Sequence, residues 1–451
     1  MNISRVLIAN RGEIAVRIIK ACRGLGIESV VAVSEADKES LPSRLADRAV
    51  CIGPARSSES YLKIDAIIAA ALGTRSDAVH PGYGFLAEKP ELAEACEKHQ
   101  LRFIGPRPEN IRQMGSKLLA RAAATEYGIP IGSGSGKVQS FEAAARIAEQ
   151  LGFPLLLKAA AGGGGRGIKI VNEGKELKGA FETAAAEARA AFGDATLYIE
   201  RYISNARHIE VQVLGDRFGN VIHVGERDCS LQRRYQKVIE EAPAYSISAP
   251  LRENIHAAAV TLAKNARYEN AGTVEFILDQ ERGEFYFLEM NTRIQVEHPV
   301  TEMITGTDLV REQILIADGQ PLSLAQSDVR LSGHAIECRI NAEAPARGFQ
   351  PSPGKIIDWT PPRGGGIRID SHCFPGYLVP PYYDSLLAKI IVHGSDRSEA
   401  IERMKMALDD FSIKGVDTTI PFLSFLLTQT DYIQGQVSTR WLEKQLEHFS
   451  V

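Results

Sequence analysis

A chain of 451 residues, 44% hydrophobic and 24% charged, has the make-up of a soluble globular protein and is long enough for about three domains of ordinary size. Its net charge of −4, with no basic tail or stripe, argues against nucleic acid as the main partner, so anionic ligands would need local cationic sites. No apolar run reaches membrane-spanning length, no secretory leader is read at the amino terminus, and the six cysteines form no C-x-x-C pair, which together fit a cytoplasmic protein with no membrane partner.

Residues 1–130 alternate strand and helix. Arg5–Ala9 reads as a buried strand, Glu13–Leu25 as a helix and Glu28–Val33 as a second strand, which makes a β-α-β unit of an open parallel α/β sheet. The first turn reads Ala9-Asn-Arg-Gly-Glu13 and lacks G-x-G-x-x-G, so a nicotinamide dinucleotide is rejected. The strand Asp77–His80 opens into Pro81-Gly-Tyr-Gly-Phe-Leu86, a glycine-rich loop at a carboxyl end, where open sheets place ligands. Tyr83 is a candidate contact there.

Residues 131–203 carry a glycine run between two strands, Phe153–Lys158 and Ile168–Val171. A phosphate-binding P-loop is ruled out, since no Lys-Ser/Thr follows the glycines and a strand follows in place of a helix. Glycines at such a tip bring backbone N–H groups close to phosphate oxygens and let the hairpin fold down as a lid. Lys158 ends the first strand and Lys117 opens a helix, two candidate phosphate contacts. Glu200-Arg-Tyr-Ile203 reads as a hinge strand suited to an adenine edge.

Residues 204–451 open with strands 208–215 and 220–226 and then the run Gln232-Arg-Arg-Tyr-Gln-Lys237, a cationic and amide-rich cluster suited to anions. Gly272–Leu278 and Phe285–Asn291 read as a hairpin about Asp279–Glu284, with Glu275 opposite residue 288 or 289. If the second strand stays extended to Glu297, Glu289, Asn291, Arg293, Gln295 and Glu297 share one face, and Leu288, Met290, Thr292, Ile294 and Val296 share the other. Two carboxylates at adjacent cross-strand positions repel unless a cation sits between them. Mg²⁺ suits an oxygen set of Glu275, Glu289 and Asn291. Arg339 lies on the polar face of a strand near His334–Asn341. Met404-Lys-Met406, the tripeptide at which carrier domains bear biotin, falls within helical spacing and is read as an ordinary helix.

The segments LIANRGEIAVRII, HPGYGFLAE, GGGGRG, ERDCSLQRR and LEMNTRIQVEHPVTE, in this order, resemble biotin carboxylase of the ATP-grasp superfamily across essentially the whole chain. The resemblance implies an N-terminal α/β domain (1–130), an ATP-grasp lid domain (131–203) and a C-terminal antiparallel-sheet domain (204–451). It implies that ATP phosphorylates bicarbonate to carboxyphosphate, which gives CO₂ to biotin on a separate biotin carboxyl carrier protein, ahead of carboxyltransferase subunits, most often those of acetyl-CoA carboxylase in fatty acid synthesis. The family's ATP contacts fall on Lys117, Lys158, Gly164, Gly165, Glu200, Arg201, Tyr202, Ile203, His208, Gln232 and position 235, where Tyr235 stands for the usual histidine. Mg²⁺ or Mn²⁺ falls on Glu275, Glu289 and Asn291. Bicarbonate falls on Lys237, Arg293, Gln295, the Val296 backbone and Glu297, with Glu297 as the base. Biotin falls on Tyr83 and Arg339, whose guanidinium would stabilise the ureido enolate. A homodimer is the family's assembly.

Overall fold

The computed structural model describes residues 2–160 and 168–449. The proposed phosphate-binding glycines Gly164 and Gly165 lie outside the described residues. The chain is built on three principal sheets, and the mixture of α/β and α+β expected from the sequence is present.

The first sheet is wholly parallel, formed by β1 (Arg5–Ile8), β2 (Glu28–Val33), β3 (Arg48–Cys51), β4 (Ala78–His80) and β5 (Arg102–Phe103), in the order β3-β2-β1-β4-β5. Helix α1 (Gly12–Gly24) follows β1. Val6, Leu7 and Ile8 are all fully buried, because a parallel sheet covered on both faces needs unbroken apolar strands. The order reverses between β1 and β4, and the loops leaving those strands meet there. Asn10 Nδ2 donates to the carbonyls of Pro81 and Tyr83, each at 2.7 Å. Gly82 sits against that amide at φ +63°, where a Cβ would come within 3.0 Å of Asn10 Nδ2, so glycine is required. This latch holds Tyr83 at the switch point.

The second sheet is small and antiparallel, in the order β7-β6-β8, from β6 (Leu155–Ala159), β7 (Ile168–Val171) and β8 (Leu197–Arg201). Helices α3 (Phe141–Leu151) and α4 (Leu177–Phe192) cover it, and Leu155, Leu157, Leu197 and Ile199 pack against Ala144, Ala148, Ala184 and Ala188. Ahead of it, α2 (Lys117–Glu126) starts at an N-cap, Ser116, whose hydroxyl accepts from the Leu119 N–H. Ala120, Ala123 and Ala124 of α2 pack into the core beneath the third sheet.

That third sheet has eight antiparallel strands. They are β9 (Ala206–Gly215), β10 (Val221–Arg233), β11 (Gln236–Ala242), β12 (Asn270–Asp279), β13 (Glu284–Asn291), β14 (His334–Asn341), β15 (Ile367–Ser371) and β16 (Leu386–Gly394), in the order β13-β12-β9-β10-β11-β14-β16-β15. Ile209, Val211, Val213, Val274 and Phe276 fill a core on one side, while His208, Glu210, Gln212, Thr273 and Glu275 alternate with them toward the other. Helix α5 (His298–Thr305) follows the loop after β13.

Met404-Lys-Met406 lies inside helix α6 (Arg397–Asp409), N-capped by Asp396. Met404 is fully buried, Met406 is exposed, and Lys405 pairs with Glu402 one turn earlier at 2.7 Å. A lysine in a regular helix cannot be presented on a hairpin tip, so co-expression with a biotin ligase is expected to leave Lys405 unmodified by intact-mass measurement. A stoichiometric biotin adduct there would overturn this. Among the described residues no helix is long and apolar enough to cross a membrane.

Candidate active site

A cavity of about 710 Å³ lies where the three sheets meet, and it gathers residues far apart in sequence. Tyr83 comes from the first sheet, Lys117 from α2, and Lys158, Glu200, Arg201, Tyr202 and Ile203 from the second sheet and its exit. His208, Gln232, Tyr235, Lys237, Glu275, Glu289, Asn291 and Arg339 come from the third sheet, and Arg293, Gln295, Val296 and Glu297 from the loop after β13. Every described residue expected at the site therefore lines one cavity.

At the end bounded by the second sheet, Lys158 forms an ion pair with Glu200, which also accepts from Arg121. Burial resists ionisation of Glu200, but Lys158 and Arg121 outweigh it and lower its pKa. The N–H groups of Arg201 and Tyr202 are taken by the carbonyls of Ser133 (2.9 Å) and Pro154 (3.0 Å). β8 ends at Arg201, so Tyr202 and Ile203 form its exit and the expected hinge strand is shorter than its sequence reading. His208 Nδ1 lies 3.1 Å from Gln232 Nε2 and its Nε2 lies 3.2 Å from Glu275. Burial alone would lower the His208 pKa, yet the facing carboxylates raise it.

β10 and β11 join through a two-residue turn, Arg234–Tyr235, with φ of 49° and 65°. Positive φ at both positions is the geometry of a tight hairpin whose twist matches its strands. The turn points Tyr235 to the cavity, while Arg233 stacks its guanidinium 3.9 Å from the Phe349 ring centre and donates to Gly348. Arg233 and Arg234 thus line a second cavity, and of the cationic run Lys237 is the one that serves the first.

The β12–β13 register sets Glu275 directly opposite Glu289, then shifts so that Phe276 faces Phe287, which leaves Leu288 as a bulge. The bulge corrects the expected alternation. Phe287 and Met290 both enter the core, and Leu288 joins Glu289 at the cavity wall. The strand also ends at Asn291, and residues 292–297 turn into α5 without continuing extended. Arg293 is held within that turn by Glu88 (2.9 Å), Gln295 Oε1 (2.8 Å) and Asn291 Oδ1 (3.2 Å). Gln295 reaches the cavity beside Val296, whose carbonyl accepts from the fully buried Lys389 at 2.7 Å.

Glu275 and Glu289 each carry an ammonium partner, Lys237 at 3.1 Å and Lys117 at 3.3 Å. Asn291 donates its amide N–H to Glu275 at 2.7 Å. Facing carboxylates already drawing cations, beside an amide oxygen, form the hard-oxygen donor set that a divalent cation such as Mg²⁺ prefers, and the residues fit it. Buried His208, Glu210 and Glu275 also offer ligand atoms within 4.8 Å of one another, so Glu275 faces a histidine and a second carboxylate as well as Glu289.

At the far end, Lys237 Nζ sits 2.5 Å from Glu210, 2.5 Å from Glu297 and 3.1 Å from Glu275. Arg339 bridges Glu240 and Glu297, reaching the latter at 3.0 Å. Burial favours neutral Glu297, but Lys237, Arg339 and Arg227 dominate and hold it ionised, well below the usual carboxylate range. Lys237 is pushed the opposite way, its burial penalty overcome by Glu210, Glu275 and Glu297. The Tyr83 hydroxyl donates to Glu13, which pairs with Lys389 at 2.9 Å. Tyr83 is kept protonated by burial and by the Glu13 carboxylate.

Several partners escaped the sequence reading. Glu210 is fully buried and holds Lys237 and Arg227. Its signal was present in His208-x-Glu210-x-Gln212, three polar groups at period two in an otherwise apolar strand. Glu88 and Glu13 gave no comparable signal, because each reaches the site from a distant loop or helix. Arg227 is wholly buried and donates to Glu210, Gln212 (3.0 Å), Thr301 (2.9 Å) and Thr273 (3.1 Å), tying three strands to α5 from beneath.

Comparison with known proteins agrees with this architecture. Residues 2–111 match the family described as "Biotin carboxylase, N-terminal domain", 116–325 "Carbamoyl-phosphate synthase L chain, ATP binding domain", and 337–444 "Biotin carboxylase C-terminal domain". Biotin carboxylase 1 of Bacillus subtilis is 52% identical over 442 residues, covering 98% of both chains. A pyruvate carboxylase subunit of Methanothermobacter thermautotrophicus is 50% identical over 442 residues, 98% of this chain and 90% of its own length. The crystal structure of a biotin carboxylase-β-γ-ATP complex from Campylobacter jejuni superposes with a TM-score of 0.95 at 49% identity, covering 98% of this chain and 99% of that one. The biotin carboxylase domain dimer of the Hydrogenobacter thermophilus 2-oxoglutarate carboxylase, with MgADP, ADP and bicarbonate, does so at 0.95 and 47%, covering 100% and 99%. The chain belongs to the biotin carboxylase family of ATP-dependent ligases.

Proposed function

We propose that this enzyme carboxylates biotin on a separate carrier protein in two steps, activating bicarbonate with ATP and then transferring CO₂ to the ureido nitrogen. The observation that carries this reading is the pairing of Lys237 and Arg339 on one carboxylate, Glu297, at the wall of one cavity. Each cation has a second role open to it, Lys237 toward an anion beside Glu275 and Arg339 toward a ligand entering past Tyr83.

Lys117, Lys158, Glu200, Arg201, Tyr202, Ile203, His208, Gln232 and Tyr235 would hold the nucleotide, with Gly164 and Gly165 proposed as further ATP contacts. Glu275, Glu289 and Asn291 would hold Mg²⁺ or Mn²⁺, which when bound neutralises charge on the transferring phosphoryl group. Lys237, Arg293, Gln295, the Val296 backbone and Glu297 would receive bicarbonate, and Tyr83 and Arg339 would receive biotin. Glu297 accepts the bicarbonate proton. It is ionised and ready, and a bicarbonate that draws Lys237 away would raise its basicity toward the working range. Carboxyphosphate hydrolyses in water, so forming it deep between three sheets protects it.

The division at 1–130, 131–203 and 204–451 would give an N-terminal α/β domain that carries Tyr83 and Lys117, an ATP-grasp lid domain and a C-terminal catalytic domain that carries Arg339. The partners would be a biotin carboxyl carrier protein and carboxyltransferase subunits, with the active form a cytoplasmic homodimer. Among acetyl-CoA, pyruvate and 2-oxoglutarate as final acceptors, acetyl-CoA is the one the sequence resemblance favours. The assignment to fatty acid synthesis rests on that resemblance.

Purified enzyme is expected to cleave ATP with bicarbonate and Mg²⁺ and to cleave it faster when free biotin is added. Glu289→Gln should lose most of that turnover and need more Mg²⁺, since one of two facing carboxylates loses its charge. Stimulation by an amine in place of biotin would overturn the function, and an unchanged Mg²⁺ requirement would remove Glu289 from the metal.

A further inference from the structure

Strands β11 and β14 pair so that Glu240 stands directly opposite Glu337. Partners at opposed positions share a face, and Arg339, two residues along β14 from Glu337, shares it too. Both carboxyls are wholly buried. Glu240 Oε1 accepts from Arg339 Nε at 2.6 Å, while Glu240 Oε2 and both oxygens of Glu337 find no partner among the described residues.

Buried oxygens are rarely left unpaired, and three on one pair of acids call for an explanation. Two ionised carboxylates at adjacent cross-strand positions in a dry interior are untenable. The charged groups that act on the pair are Lys237 on β11, Arg339 on β14, Lys389 on β16 and Glu297 from the loop before α5. Lys389 is committed to Glu13 and to the Val296 carbonyl, and Lys237 to three other carboxylates. Arg339 and Lys389 both draw on Glu337, but neither bonds it, since Arg339 is paired with Glu240 and Glu297 and Lys389 with Glu13, and burial prevails.

We propose that Glu240 and Glu337 share a single proton and act together as a positioning pair for Arg339. One proton on the pair spares the interior a second buried carboxylate charge. It leaves a single negative charge behind the guanidinium. Burial, helped by Glu297, lifts Glu240 to about 7, and burial with Glu240 opposite holds Glu337 well above the usual carboxylate range. The functional consequence rests on the reading that Arg339 faces biotin. With one charge behind it, Arg339 can turn toward negative charge developing on the ligand. With two, at alkaline pH, it is held back, and carboxybiotin formation falls while bicarbonate-dependent ATP cleavage does not.

Infrared difference spectroscopy of wild type minus Glu337→Gln, with ¹³C-glutamate for assignment, tests the pair without any ligand. Glu13 and Glu269 are also raised by burial, so the difference isolates this pair. A protonated-carboxyl band is expected at pH 7 in wild type and weaker in Glu337→Gln, which removes one of the two buried acids and leaves Glu240 facing Arg339 without its opposed carboxyl. Glu337→Asp should keep a band at a changed frequency, which guards against a misfolded first variant. Absence of the band in wild type, or an undiminished band in Glu337→Gln, overturns the shared proton. In turnover, wild type should show an alkaline limb for carboxybiotin that coincides with loss of the band, and Glu337→Gln should lack that limb. An alkaline limb unchanged in Glu337→Gln overturns the positioning role. If wild type forms no carboxybiotin at any pH, the reading of the biotin site fails, and the infrared result still decides the proton.

Discussion

Glu297→Gln is expected to abolish both halves of the reaction together, with bicarbonate-dependent ATP cleavage and carboxybiotin falling by about 10²–10⁴, the usual worth of a positioned general base. The amide keeps the shape but cannot take a proton, and it releases Lys237 and Arg339 from their shared carboxylate. Arg339→Gln should part the two products. Bicarbonate activation is kept, but the ligand's enolate loses its charge partner, worth roughly 3–4 kcal/mol for oxyanion donors, so carboxybiotin drops by about 10²–10³. ATP is then spent on carboxyphosphate that decays in water. Arg339 also helps hold Glu297 ionised, so its removal raises the Glu297 pKa, and the acid limb of ATP cleavage should move toward neutral pH. Measuring ADP and carboxybiotin side by side in both variants settles this. Equal losses of the two products in Arg339→Gln would place that residue with bicarbonate or nucleotide.

Arg227→Met is expected to be the most damaging change away from the cavity. The guanidinium is wholly buried and its ion pair with Glu210 is completed by Gln212, Thr301 and Thr273. Removing one partner of such a pair leaves the other charge buried, at a cost of about 3–5 kcal/mol. Glu210 would then depend on Lys237, with His208 at 3.8 Å, drawing that ammonium down from Glu297 and Glu275. The denaturant midpoint should fall accordingly, and Arg227→Lys should recover only part, since a lysine cannot reproduce the fork. A loss under about 1 kcal/mol would mean that water or neighbouring groups solvate Glu210, and the framework role would be wrong.

The difference in legibility between these residues is physical. Arg339 stood out because polar groups at period two in an apolar context are visible where a strand stays regular, whereas Glu297 was reached by carrying that period past Asn291, where the strand ends. The same rule misplaced Leu288, since a bulge adds one residue and reverses every side chain beyond it, and a bulge leaves no mark in Phe285–Asn291. The parallel first sheet was readable from Val6-Leu-Ile8 and its βαβ rhythm, and the hairpin from Asp279–Glu284. What single strands could not announce is pairing at long range. Glu88 on Arg293, Glu13 on Lys389 and Glu240 opposite Glu337 are set by how sheets are ordered and registered.

The Arg234–Tyr235 turn separates two demands that most of the cavity must meet at once. Side chains with a Cβ are disfavoured at positive φ, so the backbone there is sustained by the paired strands on either side and not by the residues at the tip. Position 235 therefore contributes a wall to the cavity while leaving the hold on the backbone to the flanking strands. Variation at this tip can retune the pocket over evolutionary time at little expense to folding, which makes it the natural place for one lineage to diverge from its relatives in what it holds and how tightly.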